Sequence, residues 1–181
     1  MKITVVTGNR HKADEVASFF SGIAEIEHLD LDLPEIRDEN VGTVAREKAR
    51  AAWEQIGRPL IVDDTGFFIT ALNGFPGATA AYVMKTIGNP GILKLMEDQV
   101  DRSAYFETAI AYASEEGIRV FTGRIDGSIL GAPRGEGGFG YDPIFSYEGR
   151  SLAEMLLAEK SVVSHRGRAL AAFRDWFVSG I

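Results

Sequence analysis

Three branched apolar residues, Leu60-Ile61-Val62, run straight into Asp63-Asp64-Thr65-Gly66. Such a run reads as a buried strand that ends in a polar site. Two ionised carboxylates within a few ångströms repel, so the pair belongs in open water or beside a cation such as Mg²⁺. A solvated Asp-Asp-Thr-Gly turn is the competing reading. A chain with a buried strand near its middle has to cover that strand with the segments before and after it.

Those segments alternate between strand and helix patterns. Ile3 to Val6 reads as a first buried strand, and Thr7-Gly8-Asn9-Arg10-His11-Lys12 as a polar turn into a helix that carries Val16, Phe19 and Phe20 on one face and stops at Gly22. A strand, a glycine turn and a helix start make an anion site, to which Lys12 adds charge; in the plainer reading Thr7 or Asn9 only caps the helix. No GxxxxGK[ST] loop is present, which disfavours a Walker-type kinase or ATPase. Ile23 to Leu29 fits a second strand, followed by an acidic connection with Leu33-Pro34-Glu35. Thr43 to Ile56 repeats apolar residues at helical spacing and ends at Gly57 and Pro59. Its wet face carries Arg46, Glu47, Lys48 and Arg50, of which Lys48 is kept as a candidate ligand contact.

Beyond the acidic pair, Ala78 to Ile87 reads as a helix and Gly88-Asn89-Pro90 starts another. Ser103 to Ala113 and Ile118 to Ile125 alternate as a hairpin, with Asp126-Gly127 as the next turn. Gly135-Glu136-Gly137-Gly138-Phe139-Gly140 matches GxGxxG by letter. That fingerprint must follow a strand and open a helix, whereas Pro133 precedes it and Tyr141-Asp142-Pro143 follows, so dinucleotide binding is rejected. The segment instead lets backbone approach a flat ligand while Phe139 and Tyr141 offer rings and Asp142 an acceptor; a mobile loop with a core Phe is the alternative. Near the end, Ser164 is placed to cap a last helix that begins His165-Arg166-Gly167-Arg168. Cations at a helix start oppose its dipole, which makes sense if an anion or a carbonyl-bearing ligand docks there. His11 and His28 read as structural beside His165.

Hydrophobic residues make up 45% of the 181 and charged residues 25%, a globular balance that fits one domain over 1–181. The net charge of -7 argues against binding a nucleic-acid backbone. Cysteine is absent, which removes disulfides, zinc-thiolate sites and a cysteine nucleophile. The first apolar run is too short for a signal peptide or membrane span, and no later run reaches spanning length. The expected setting is cytoplasmic, with no nucleic-acid or membrane partner.

Four segments, TGNRHK, VDDTGF, GGFGYDPIF and EKSVVSHRGRAL, stand in that order along almost the whole chain. Together they resemble the inosine triphosphate pyrophosphatase family, enzymes that clear ITP, XTP and their deoxy forms from the nucleotide pool by releasing pyrophosphate. The resemblance implies an α/β fold with a long mixed β-sheet, flanking helices and two lobes around a central cleft. It also implies a homodimer and a divalent metal, Mg²⁺ with Mn²⁺ as the alternative.

Carried onto this sequence, it makes Thr7, Gly8, Asn9, Arg10, His11 and Lys12 the phosphate and sugar cradle, and Thr65 a substrate contact. Asp64 becomes the catalytic proton acceptor and a metal ligand, with Asp63 its neighbour and Glu35 as the second metal carboxylate. Phe139 would stack on the purine, Gly140 and Tyr141 would flank it, and Asp142 would fix its edge. Lys160, His165 and Arg166 would complete the base and phosphate contacts. Where the family often has Ser-Ala-Arg after its Pro-Gly turn, Ala78-Thr79-Ala80-Ala81 stands here, which leaves the dimer-side contacts open. A pyrophosphatase for modified pyrimidine or methylated guanine nucleotides, and a non-catalytic nucleotide-binding module, are the rival readings.

Overall fold

The computed structural model describes residues 2–34 and 36–179. Strand β1 (Lys2–Val6) leads through helix α1 (Arg10–Phe19) to β2 (Glu25–Leu29), which lies parallel to it. Helix α2 (Val41–Ile56) then returns the chain to β3 (Leu60–Ile69), parallel to β1 on its other side. Past β3 the sheet becomes antiparallel. The short β4 (Pro76–Gly77), helices α3 (Ala80–Thr86) and α4 (Gly88–Leu95), and the long hairpin β5 (Ser103–Ser114) and β6 (Gly117–Ile129) follow. Short β7 (Phe145–Tyr147) and β8 (Arg150–Ser151) complete an eight-stranded mixed sheet of order β2-β1-β3-β5-β6-β7-β8, with β4 on β3. Helices α5 (Leu157–Val163) and α6 (His165–Ser179) close the chain.

Local chemistry sets most boundaries. Asn9 caps α1, its side chain accepting from the backbone N–H groups of His11 and Lys12. Helix α2 starts two residues before the expected Thr43, because Asn40 accepts from Thr43 N at 3.0 Å, and it ends at Gly57 in the left-handed region. Ser164 caps α6 as expected, accepting from Gly167 N at 3.0 Å.

Two expected boundaries move. Strand β3 does not end at the acids: its ladder with β5 runs unbroken from Leu60↔Ala113 to Ile69↔Ala104, carried on by the β-favouring Phe67, Phe68 and Ile69. Asp126-Gly127 is not a turn but lies inside β6, paired with Tyr105 and Ala104. Bare backbone is needed at Gly127, where a Cβ would collide with Ser146 O.

The two-residue strand period distributes the core. Leu60 and Val62 face α2, packing with Ala45, Ala49 and Ala52, whereas Ile61 faces α1 and α6 through Val16, Leu170 and Phe173. Phe67 and Ile69 continue on that second face into a cluster with Phe106, Tyr141 and Phe145 under α3 and α4. Burying a large apolar side chain contributes about 1.5–3 kcal/mol, so these clusters hold the sheet flat against its helices. Gly123 allows the start of α6 to lie directly on β6, since a Cβ there would strike His165 O and Ala169 N. No helix among the described residues is long and apolar enough to cross a membrane.

Candidate active site

The sheet is built with an opening at β3. Strand β1 pairs with it only at Val5↔Ile61 and Val6↔Val62 and then turns away at Thr7, while β4 takes the same edge only from Phe67 onward. Among the described residues Asp63, Asp64, Thr65 and Gly66 therefore have no strand on that edge. This is the crevice at the carboxyl end of parallel strands where ligands of α/β sheets bind.

On the face toward α1 and α6, Asp63 begins a buried network. Arg166 donates through Nε to Asp63 Oδ2 at 2.9 Å, through Nη2 to Thr65 Oγ1 at 3.0 Å, and through Nη1 to Glu15 Oε2. Lys160 Nζ donates to Glu15 Oε1 and, at 2.6 Å, to Asp142 Oδ2. Lys12 stands 3.3 Å from Asp63. Glu15, Asp63, Asp142, Lys160 and Arg166 are all buried. Three carboxylates thus balance three cations, which is how charge survives out of water. Burial alone would raise the pKa of Glu15 and of Asp63, but Arg166 and Lys160 around the first, and Lys12 and Arg166 around the second, hold both below the usual carboxylate range. Burial likewise works against the charge of Arg166, yet Asp63 and Glu15 keep it cationic.

On the opposite face Asp64 meets Lys48 of α2, with Nζ 2.7 Å from Oδ1. Its second oxygen, Oδ2, is buried without a hydrogen-bond partner among the described residues. Burial pushes this carboxyl up, against the pull of Lys48 and Lys12. An orphaned carboxylate oxygen is a hard ligand waiting for a hard cation, so the residue fits Mg²⁺ or Mn²⁺.

A cavity of about 220 Å³ opens from Thr65 toward the glycine-rich segment. Phe139 borders it, its ring parallel to His11 at 5.1 Å, with Lys160 Nζ 4.7 Å from the ring centre. The positive φ of Gly138 brings Phe139 N within 2.9 Å of Asp142 Oδ2; Asn89 of α4 holds Gly140 O at 3.0 Å. Tyr141 contributes an edge of the wall, but its ring packs in the core on Phe67 and its hydroxyl donates to Ala80 O at 2.6 Å. His165, at the first turn of α6, stacks on Phe106 at 4.7 Å and leaves Nδ1 buried without a partner among the described residues. Burial, with Arg166, Lys160 and Lys12 nearby, drives its pKa well below 6.5, so the imidazole is neutral.

Thr65, on the uncovered edge of β3, thus shares one cavity with an aromatic ring, a helix start and the buried cations Lys160 and Arg166. The Ham1 family model matches residues 3–176. This chain belongs to the Ham1 family. A dITP/XTP pyrophosphatase of Thermococcus kodakarensis is 45% identical over 179 residues, covering 97% of each chain. One of Methanopyrus kandleri is 46% identical, covering 100% of this chain and 98% of its own. The structure of the Staphylococcus aureus Ham1 protein superposes with a TM-score of 0.84 at 25% identity, covering both chains in full.

In this Ham1 chain ten of the expected residues border the cavity and the other described ones, Asp64 on the α2 face among them, do not. Asn9, Lys12, Thr65, Phe139 and Gly140 border the cavity, as do Tyr141, Asp142, Lys160, His165 and Arg166. Thr7 and Gly8 form the loop beneath it: Thr7 Oγ1 accepts from Asn9 N at 3.1 Å, and His28 fastens the loop by donating to Thr7 O at 2.7 Å. Arg10 points to solvent, 3.7 Å from Asp14. His11 stands against Phe139 rather than in the cradle, and Glu35 lies outside the described residues. Glu15, the hub of the buried network, is not among the expected site residues. Along the sequence nothing sets Glu15 apart from its neighbour Asp14, although Glu15 is buried in α1.

Proposed function

We propose that this chain hydrolyses dITP, XTP and related non-standard purine nucleoside triphosphates to the monophosphate and pyrophosphate. The observation that supports the reading is the uncovered edge of β3 from Asp63 to Gly66, where Thr65 opens into a cavity bordered also by Lys12 and Phe139. The base stacks on Phe139, with His165 and Asp142 at its edge. Neutral His165 offers one donor and one acceptor, and three N–H groups of Arg166 are already committed to Asp63, Glu15 and Thr65. The phosphates lie toward the α1 start, where Lys12 faces them and the helix dipole favours negative charge.

Water attacks the α-phosphorus, a new P–O bond forms, and the bond to the bridging oxygen breaks to release pyrophosphate. Asp64 takes the water proton, a role helped by burial that makes its carboxyl a stronger base. The network's own carboxylates already neutralise its cations, so the charge of a triphosphate calls for added positive charge. Asp64, with Glu35, would hold a divalent cation, which when bound neutralises phosphate oxygens and acidifies water. Mg²⁺ is favoured because it is commonly held by one or two carboxylates plus substrate phosphates.

A pyrophosphate-release assay across dITP, XTP, GTP and ATP tests the reading. Release from dITP and XTP with little from ATP is expected, and Asp64→Asn should bind nucleotide yet lose activity by about 10²–10⁴-fold. Orthophosphate as the sole product, or equal use of ATP, would overturn it. Exposed Phe75, Tyr82, Ile87 and Leu95 on and beside α3 and α4 support a homodimer as part of the same proposal, checked by light scattering.

A further inference from the structure

Thr108 on β5 lies opposite Thr65 on β3, fully buried, with the two hydroxyl oxygens 2.6 Å apart. Thr65 Oγ1 also accepts an N–H from Arg166 Nη2 at 3.0 Å. A guanidinium has donors only, so the direction of that bond is fixed. The direction of the threonine pair follows from burial. Among the described residues Thr65 is the one hydrogen-bond partner of the Thr108 hydroxyl, and a hydroxyl hydrogen buried without an acceptor is costly. Thr108 therefore donates to Thr65.

The count of lone pairs then decides what Thr65 can do. Its oxygen has two acceptor sites, one taken by Arg166 and one by Thr108, and its own hydrogen is left for the cavity it borders. We infer that Thr108 is a positioning residue that makes Thr65 an obligate hydrogen-bond donor toward an acceptor oxygen of the bound nucleotide. This role rests on the nucleotide-hydrolysing reading above. Without Thr108, the Thr65 oxygen regains a free acceptor site and the hydroxyl can rotate its hydrogen away from the ligand.

Pyrophosphate release from dITP is measured for the wild type, Thr108→Val, Thr108→Ser, Thr65→Val and the Thr65→Val/Thr108→Val double variant, with melting temperatures alongside. Loss of one well-placed donor predicts a KM about tenfold higher in Thr108→Val with kcat within about twofold, and recovery in Thr108→Ser. Thr108→Val should add nothing in the Thr65→Val background, because it acts only through that hydroxyl. If Thr108→Val does not fold, Thr108→Cys, with its weak donor, should give the same rise in KM. An unchanged KM, a lower kcat at constant KM as an inactive fraction would give, or additive effects in the double variant would overturn the inference. If the wild type releases no pyrophosphate from dITP or XTP, the activity reading fails instead. Calorimetric titration with dITP then decides the role of Thr108, by an about tenfold weaker Kd in Thr108→Val or by none.

Discussion

Asp63 and Asp64 are neighbours in β3, yet their carboxylates act on opposite faces of the sheet. Asp63 faces α1 and α6, where Arg166 and Lys12 meet it; Asp64 faces α2 and Lys48. Strand alternation separates the charges that adjacency would set against each other. The two environments also push the carboxyls apart, Asp63 down and Asp64 up, which suits Asp63 to anchor the network and Asp64 to the proton-acceptor role proposed above.

Glu15 holds that anchor together by accepting from both Lys160 and Arg166. Removing one member of a buried ion cluster leaves charges without partners, so Glu15→Ala should cost about 3–5 kcal/mol, roughly 6–20 °C in melting temperature. Glu15→Gln keeps an acceptor and should cost less. Because its neighbours hold the Glu15 pKa below 4.5, its contribution is present above that pH and is lost as pH falls through the folded value. The gap in unfolding free energy between wild type and Glu15→Gln should therefore narrow in acid. A constant gap in denaturant titrations across that range would contradict the assignment.

His165 gives the opposite end of the pH scale. Its folded pKa lies well below 6.5, so the unfolded chain takes up a proton as pH falls through 6.5 while the folded chain does not. Stability from this residue is present above 6.5 and declines below it, by at most about 1.4 kcal/mol per pH unit. His165→Gln should flatten the fall in unfolding free energy between about pH 7.5 and about pH 5.5, where neither His11 nor His28 distinguishes the two proteins. Equal slopes would show that the imidazole takes up its proton alike in the folded and unfolded states.

Much of this site is legible along the chain. Asn9 as a cap, the β5–β6 hairpin and the glycine-rich segment that carries Phe139 follow from local chemistry, and the four motifs in their order carry the family resemblance. What escapes is set by distant partners. Glu15 looks like any helix acid until Lys160 and Arg166 arrive from the far end of the chain, 145 and 151 residues away. Thr108 looks like an ordinary strand threonine until the register sets it against Thr65. Ending the strand at the acids also hid the split between Asp63 and Asp64, since a turn has no alternating faces. Lys48 was visible on the wet face of α2, but only the packing of α2 over β3 turns it toward Asp64.

That contact makes the acid limb of the pH–rate profile a test of which carboxylate takes the proton. Burial raises the Asp64 pKa, and Lys48 is the strongest of the groups that pull it back down. Replacing Lys48 by Met removes that cation and leaves Asp64 Oδ1 without its partner, so the carboxyl should protonate at higher pH than in the wild type. The acid limb of log kcat/KM, which reports the free enzyme, should move to higher pH, while Lys48→Arg should keep it near the wild-type position. At a pH well above the limb the Met variant retains its proton acceptor, and its remaining loss of rate reflects the missing positive charge alone. A limb that stays in place in Lys48→Met would remove Asp64 as the titrating group and direct attention to Asp142, whose carboxyl is also raised by burial and which Lys48 does not touch.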